Sequence, residues 1–274
     1  MTQQFQRSVE VQVDTIKFSD LDVEFAVVKT LKPEPNTCTL KIWNLNPMHR
    51  KQLDSAKLPA IEIKAGYKGA VSLVFRGEVR EVFSAKEGGD WVTEMSTADS
   101  EDTIKRARIN KSFPSGTRLP NVLQALANEL KVDAKAAILK LLTSNKLVEA
   151  AGVFLNGTVV SGSASREMTN LLKSAGQEWS VQDGELQIID IGAALLGLPV
   201  VLGATTGLVG SPTVGNDDLV RFKALLNTSI APGSLVTFVS DLLPVGSFYR
   251  VERAEFNGQT RGSDWYVEGE ASAI

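Results

Sequence analysis

The feature that most constrains this chain is a period of two that recurs across its first 110 residues. Val9, Val11 and Val13 alternate with Glu10, Gln12 and Asp14, and Val23, Phe25 and Val27 alternate with Asp22, Glu24 and Ala26. The scheme continues through Cys38-Leu40-Ile42, Ile61-Ile63, Val71-Leu73-Phe75 and Trp91-Thr93-Met95. A backbone that sends successive side chains to opposite faces is a strand. Six or more such half-apolar strands predict a sandwich or a closed barrel. One helix interrupts them: Asn46 offers an N-cap, Pro47 suits the first helical position, and the helix is expected to run to Ala56. Gly88-Gly89 reads as a hairpin tip.

From Lys111 the apolar period lengthens. Thr117 to Leu130 reads as an amphipathic helix with Val122, Leu123, Leu126, Ala127 and Leu130 on one face, and Asp133 can cap a second helix through Leu142. Lys131, Lys135, Lys140 and Lys146 form a basic stripe, but residues 111–190 hold 8 basic and 8 acidic groups. That balance favours a solvated face over a nucleic-acid site. Asn156-Gly157 predicts a hairpin between Val153-Phe154-Leu155 and Thr158-Val159-Val160. Ser163 then starts a helix that runs to Ala175 and is closed by Gly176. A second hairpin turns on Asp183-Gly184 and sets Trp179, Val181, Leu186 and Ile188 on one face.

Residues 191–274 return to strands and end in a long hairpin, in which Tyr249, Val251, Arg253 and Glu255 keep the period of two. Asn257-Gly258 and Gly262 are expected to supply positive-φ positions at its tip. The chain therefore reads as a β-rich α+β protein. Two small antiparallel β-barrel domains, residues 1–110 and 191–274, are expected to flank an α+β middle domain at 111–190.

Composition narrows the chemistry. The 274 residues are 43% apolar and 22% charged, as in a folded soluble chain, and the net charge of −3 gives no general attraction to nucleic acid. The excess acid lies in residues 191–274, with 5 basic and 8 acidic groups. The one cysteine, Cys38, forms no intrachain disulfide and reads as a small buried hydrophobe. The N-terminus is polar, so no signal peptide is expected. The longest apolar stretch, 191–201, is too short for membrane insertion. The chain is read as one made in a cytoplasm.

No catalytic, cofactor or metal site is expected. His49 is the only histidine and lacks partners of its kind. Glu101-Asp102 and Asp217-Asp218 are adjacent acids that point apart, and the glycine-rich run 210–215 lacks the lysine of a phosphate loop. The best interface candidates are Arg250, Arg253 and Arg261 with Trp265 and Tyr266, because arginine and aromatic side chains dominate the anchors of interfaces.

Several motifs carry a resemblance. They are the helix closed by Gly176 with Trp179-Ser180 and Asp183-Gly184, then Gly207-Leu208-Val209-Gly210-Ser211-Pro212, Phe222-Lys223-Ala224-Leu225-Leu226-Asn227 and Pro232-Gly233. Phe248-Tyr249-Arg250-Val251 and Asp264-Trp265-Tyr266 close the pattern, and Leu40-Lys41-Ile42-Trp43-Asn44-Leu45 and Phe75-Arg76-Gly77 open it. In this order they resemble the baseplate hub proteins of contractile phage tails. The resemblance implies a virion component assembled in the host cytoplasm: a homotrimer whose two tail-tube-like barrels per chain make a pseudo-sixfold ring. Implied partners are the tail tube or its initiator, the central spike, the C-terminus of the tape measure protein and wedge proteins, with DNA only in transit. The sequence is short for that family, which implies that a trailing extension and a fused lytic domain are lacking. A lumen that passes DNA is expected to be neutral to acidic, with the three arginines at subunit contacts. The competing classes are a cell-wall-degrading tail enzyme and a host-carbohydrate-binding β-module.

Overall fold

The computed structural model describes residues 6–99, 101–143, 153–244 and 246–274. Strands β1 (Arg7–Val13), β2 (Ile16–Phe18), β3 (Val23–Thr30) and β4 (Thr37–Trp43) precede helix α1 (Pro47–Ser55). Strands β5 (Ala60–Tyr67), β6 (Ala70–Glu87) and β7 (Asp90–Ala98) follow. Next come α2 (Glu101–Arg106), β8 (Arg108–Phe113), β9 (Thr117–Arg118), α3 (Leu119–Glu129) and α4 (Lys135–Thr143). Then β10 (Val153–Phe154), β11 (Thr158–Ser163), α5 (Ala164–Ser174), β12 (Gln177–Gln182) and β13 (Glu185–Asp190) complete the middle of the chain. The last strands are β14 (Val200–Leu202), β15 (Thr213–Val214), β16 (Val220–Leu225), β17 (Leu235–Phe238), β18 (Tyr249–Gln259) and β19 (Trp265–Ala273). The chain divides into two compact units. One gathers Met1–Thr30, Asn36–Ala98 and Ala194–Ile274, and the other Leu31–Pro35 and Asp99–Ala193.

In the first unit the period of two is realised almost strand for strand. Val23, Phe25 and Val27 face inward on β3, and Cys38, Leu40 and Ile42 do so on β4. The two strand-rich segments do not close into separate barrels. They form one open sheet in the order β15-β16-β19-β18-β3-β4-β7-β6-β5-β1-β2, with β17 paired to β18 and β14 to β17. The seam is the antiparallel pair β3–β18, in register from Thr30↔Arg253 to Glu24↔Gln259. Phe25 and Val27 share one core with Ala254, Phe256, Trp265 and Val267. Merging the segments lets the inner faces of β3 and β18 bury each other, at roughly 1.5–3 kcal/mol per large side chain. It also removes two exposed sheet edges.

The alternation breaks where the ladder carries an extra residue. Ile63 pairs with Phe75 and Lys64 with Leu73, so Val74 is left over and both Val74 and Phe75 turn inward. Registers also shift between Val79 and Glu81 on β6 and between Val251 and Arg253 on β18. Such bulges bend and twist a strand, and sequence period alone does not reveal them. Helix α1 forms as expected: the Asn46 side chain accepts from the Met48 N–H at 2.8 Å, Pro47 opens the helix, and Leu53 is its buried anchor.

The long hairpin departs from expectation at its tip. Asn257, Gly258 and Gly262 do not take positive φ. Gly258 is a strand residue, and a Cβ there would lie 2.3 Å from Phe25 Cζ. Its role is close approach to an aromatic ring. The tip is instead tied down by Thr260, whose hydroxyl accepts from the Val23 N–H and donates to Asp22, each at 2.9 Å.

The second unit is α+β. Helix α3 buries Leu119, Val122, Leu123, Leu126 and Ala127. It ends with Lys131 at φ 53° while the Val132 N–H reaches Ala127 O at 3.1 Å, a Schellman closure. Asp133 Oδ1 accepts from the Lys135 N–H at 2.9 Å at the start of α4. Asp183 and Gly184, at φ 56° and 85°, form the predicted tight turn between β12 and β13. Trp179 is buried and donates from Nε1 to Thr169 Oγ1 of α5 at 3.0 Å. Asn156-Gly157 does form a turn, with Gly157 N–H on Phe154 O at 3.1 Å. Its two flanks do not pair with each other: β10 pairs with β9 and β11 with β8. Long-range partners outcompete the local hairpin there. Lys146 of the basic stripe lies outside the described residues.

Candidate interaction surface

The outward face of β16, β19 and β18 carries three of the five candidate residues, Arg250, Arg253 and Tyr266. Period two places Arg221 and Lys223 of β16 opposite Glu270 and Glu268 of β19. Arg221 reaches Glu270 at 3.2 Å and takes Asp217 in two hydrogen bonds, of 3.1 and 2.6 Å. Lys223 meets Glu268 at 2.8 Å and lies 4.3 Å from the centre of the Tyr266 ring. On β18, Arg250 and Arg253 pair with Glu252 and Glu255 of their own strand at 2.6 and 2.7 Å. Ser272 of β19 donates to Glu252. The hydrogen bond that Arg221 donates holds the Asp217 carboxyl below the usual carboxylate value, and the one that Lys223 donates to Glu268 raises the Lys223 pKa.

The five candidates are thereby separated. Trp265 is in the core, 1% exposed, edge-on to Phe25 and Tyr67 at 6.1 and 6.2 Å. Its sequence neighbour Tyr266 points to the other side of the sheet, as period two demands. Arg250 is buried, Arg253 is partly covered beside it, and Arg261 is exposed on the hairpin tip. Two participants were not singled out from the sequence. One is Lys223. The other is Arg7, which donates to the carbonyls of Gln259, Gly262 and Ser263 at 2.9, 2.6 and 3.1 Å and lies 5.4 Å from the Trp265 ring. Arg7 is more than 250 positions away from these partners, so no local pattern signals it. The period of β16, by contrast, could have pointed to Lys223.

The residues weighed for chemistry have structural surroundings. His49 lies edge-on to Phe18 at 5.5 Å. Asp217 is engaged by Arg221, and the run 210–215 is followed by that ion pair. Cys38 is buried, and loss of solvent pushes its thiol up to about 12. A cleft of about 240 Å³ lies between the β5–β6 turn, with Gly66, Tyr67 and Ser72, and the segment holding Thr206 and Asn227, and its lining has no charged side chain. Among the described residues no group of three or more His, Cys, Asp or Glu is placed to hold a metal ion. No helix among them is long and apolar enough to cross a membrane.

The fold is that of phage tail proteins. The tail protein from Neisseria meningitidis MC58 superposes with a TM-score of 0.69 at 11% identity, covering 98% of this chain and 97% of that one. The 43 kDa tail protein of prophage MuSo2 from Shewanella oneidensis gives 0.66 at 10% identity, covering 97% and 98%. The E. coli c3393 protein, a type VI secretion component described as similar to the T4 tail proteins gp27 and gp5, gives 0.61 at 10%, covering 96% and 76%. No curated protein matches by sequence. The family described as Baseplate hub gp41 matches residues 6–271, and the chain belongs to that family.

Proposed function

We propose that this chain is a non-enzymatic structural hub of a contractile tail. It assembles as a homotrimer, joins the hexameric tail tube to the trimeric central spike, and leaves an axial channel through which DNA passes. The observation that carries this reading is the β3–β18 seam, because it holds two strand-rich lobes side by side in one sheet. Three chains then offer six lobes to a sixfold tube. In this reading residues 1–110 and 191–274 supply the tube-like lobes and residues 111–190 form the middle domain. A spike partner is supported by the similarity to c3393 and to a chain of the Francisella PdpA-VgrG complex. The tape measure C-terminus and wedge proteins complete the set of neighbours.

The electrostatics agree with a passage that does not hold DNA. Arg221, Lys223, Arg250 and Arg253 each have a carboxylate within 3.2 Å. Cations neutralised in this way are poor phosphate ligands, and phosphate contacts would stall transit in a salt-dependent manner. Native mass spectrometry with negative-stain imaging tests the reading. Three chain masses and a ring with a central opening are expected. A monomer, a closed disc, or turnover of purified cell wall by the isolated chain overturns it.

A further inference from the structure

Three places in the chain join a short amide or carboxyl side chain to a following glycine: Asn156-Gly157, Asp183-Gly184 and Asn257-Gly258. Glycine has no Cβ to hinder its nitrogen, so such a pair can close a five-membered imide ring. In that ring the glycine nitrogen is bonded to the carbonyl carbon of the preceding side chain. Closure asks two things of the fold. The nitrogen must rotate to eclipse the preceding Cβ, and its N–H must be able to give up its proton so that the nitrogen becomes a nucleophile.

The three pairs differ on both counts. Asn257 lies inside β18, in register with Ala26 on one side and Tyr266 on the other, and Gly258 is buried and paired with Phe25 and Trp265. A strand ψ of about +135° turns the next nitrogen away from the side chain. Asp183-Gly184 is a turn, but its glycine is held from both ends. The Gly184 N–H donates to Asp99, itself 2% exposed, at 3.1 Å, and the Gly184 carbonyl accepts from the Asp133 N–H at 2.9 Å. A bond to a buried carboxylate is charge-assisted and keeps the proton on that nitrogen. Asn156 has neither restraint. It is exposed at the third place of the turn that the Gly157 N–H closes on Phe154 O at 3.1 Å. Phe154 O also accepts from the Gly116 N–H at 3.0 Å, so it stays satisfied when Gly157 swings away. No strand pairing reaches residues 155–157, because β10 ends at Phe154 and β11 begins at Thr158.

We propose that Asn156 is a site of spontaneous covalent modification in the folded protein, where the side chain loses ammonia and becomes aspartate or isoaspartate. The Gly157 nitrogen gives its proton to solvent base and attacks Asn156 Cγ. A C–N bond forms there, and Nδ2 leaves as ammonia with a proton taken from water. Water then opens the imide. Cleavage between Cγ and nitrogen gives aspartate, and cleavage between the Asn156 backbone carbonyl carbon and nitrogen gives isoaspartate. The sum consumes one water for each ammonia released and needs no oxidant. It adds one negative charge to the chain, and isoaspartate also lengthens the backbone of the turn by one carbon.

Peptide mapping by tandem mass spectrometry tests this on the full chain, held in warm, mildly alkaline buffer either folded or in urea. Conversion is read as the mass of aspartate in place of asparagine, with isoaspartate separated by chromatography. In urea all three pairs are expected to react. In the folded chain Asn156 is expected to react well ahead of the other two, which slow on the order of tenfold or more because the strand or the clamped turn must open first. Asn156→Gln, whose ring would have six members, should abolish the change at that position and melt as the wild type does. Equal protection, or equal reaction, of Asn156 and Asn257 in the folded chain overturns the proposal.

Discussion

Gly258 offers the sharpest test of the seam between the two strand-rich segments. It pairs with Phe25 across β3–β18 and with Trp265 across β18–β19. A Cβ at this position would lie 2.3 Å from Phe25 Cζ and 2.4 Å from Cε1, where carbon atoms ordinarily approach to about 3.5–4.0 Å. The ring cannot simply retreat, because Phe25 is fully buried and packs edge-on to Trp265. Displacing a locked core ring costs about 1–3 kcal/mol. Exchanging a strand glycine for alanine returns roughly 0.5–1 kcal/mol of backbone entropy. Gly258→Ala should therefore destabilise by about 1–2 kcal/mol, a fall in melting midpoint of about 2–4 °C per kcal/mol for a unit of this size. Phe25→Leu removes the obstructing ring edge, and in that background alanine should be neutral or mildly favourable. The double-mutant cycle, measured by denaturant melts, is expected to give a coupling on the order of 2 kcal/mol. A coupling below about 0.5 kcal/mol would refute the argument. Gly258 would then matter for its backbone angles, as in a turn, and the seam would not be packed as described.

Two further outcomes follow from the cores. Trp179→Ala should cost the second unit about 3–5 kcal/mol, whereas Trp179→Phe, which keeps most of the packing and loses the bond to Thr169, should cost nearer 1 kcal/mol. Denaturant melts in which Trp179→Ala changes stability by less than about 1 kcal/mol contradict the packing. For Cys38 the folded thiol titrates near 12 against an ordinary 9.0, so above pH 9 the unfolded chain binds fewer protons and stability falls as pH rises. Relative to Cys38→Ala, the wild type should lose about 2 kcal/mol between pH 9 and 10.5. An unchanged difference across that range places the thiol in contact with water.

Local rules set much of this molecule. Alternation identified the inward faces of β3 and β4, and capping chemistry identified α1 through Asn46 and Pro47. Asp183-Gly184 gave the β12–β13 turn because a two-residue turn with both φ angles positive suits few other residue pairs. The order of the motifs, from Leu40 to Tyr266, was enough to point to the baseplate hub family. Each of these signals is written within a few residues of where it acts.

Partners distant in sequence settled the rest. Asn156-Gly157 turns the chain, yet its flanks pair with β9 and β8, because a short local hairpin is marginal beside strands that also bury side chains. Gly258 looked like a turn residue until Phe25, more than 230 positions earlier, was laid against it. Trp265 looked like an anchor for a partner and is an anchor of the core, with Arg7 beside it. A sequence fixes which residues of a strand share a face, because that is a property of the backbone. Which other strand lies alongside, and so whether a face meets solvent, a partner or the rest of its own chain, depends on burial summed over the whole sheet, and only the tertiary structure decides it.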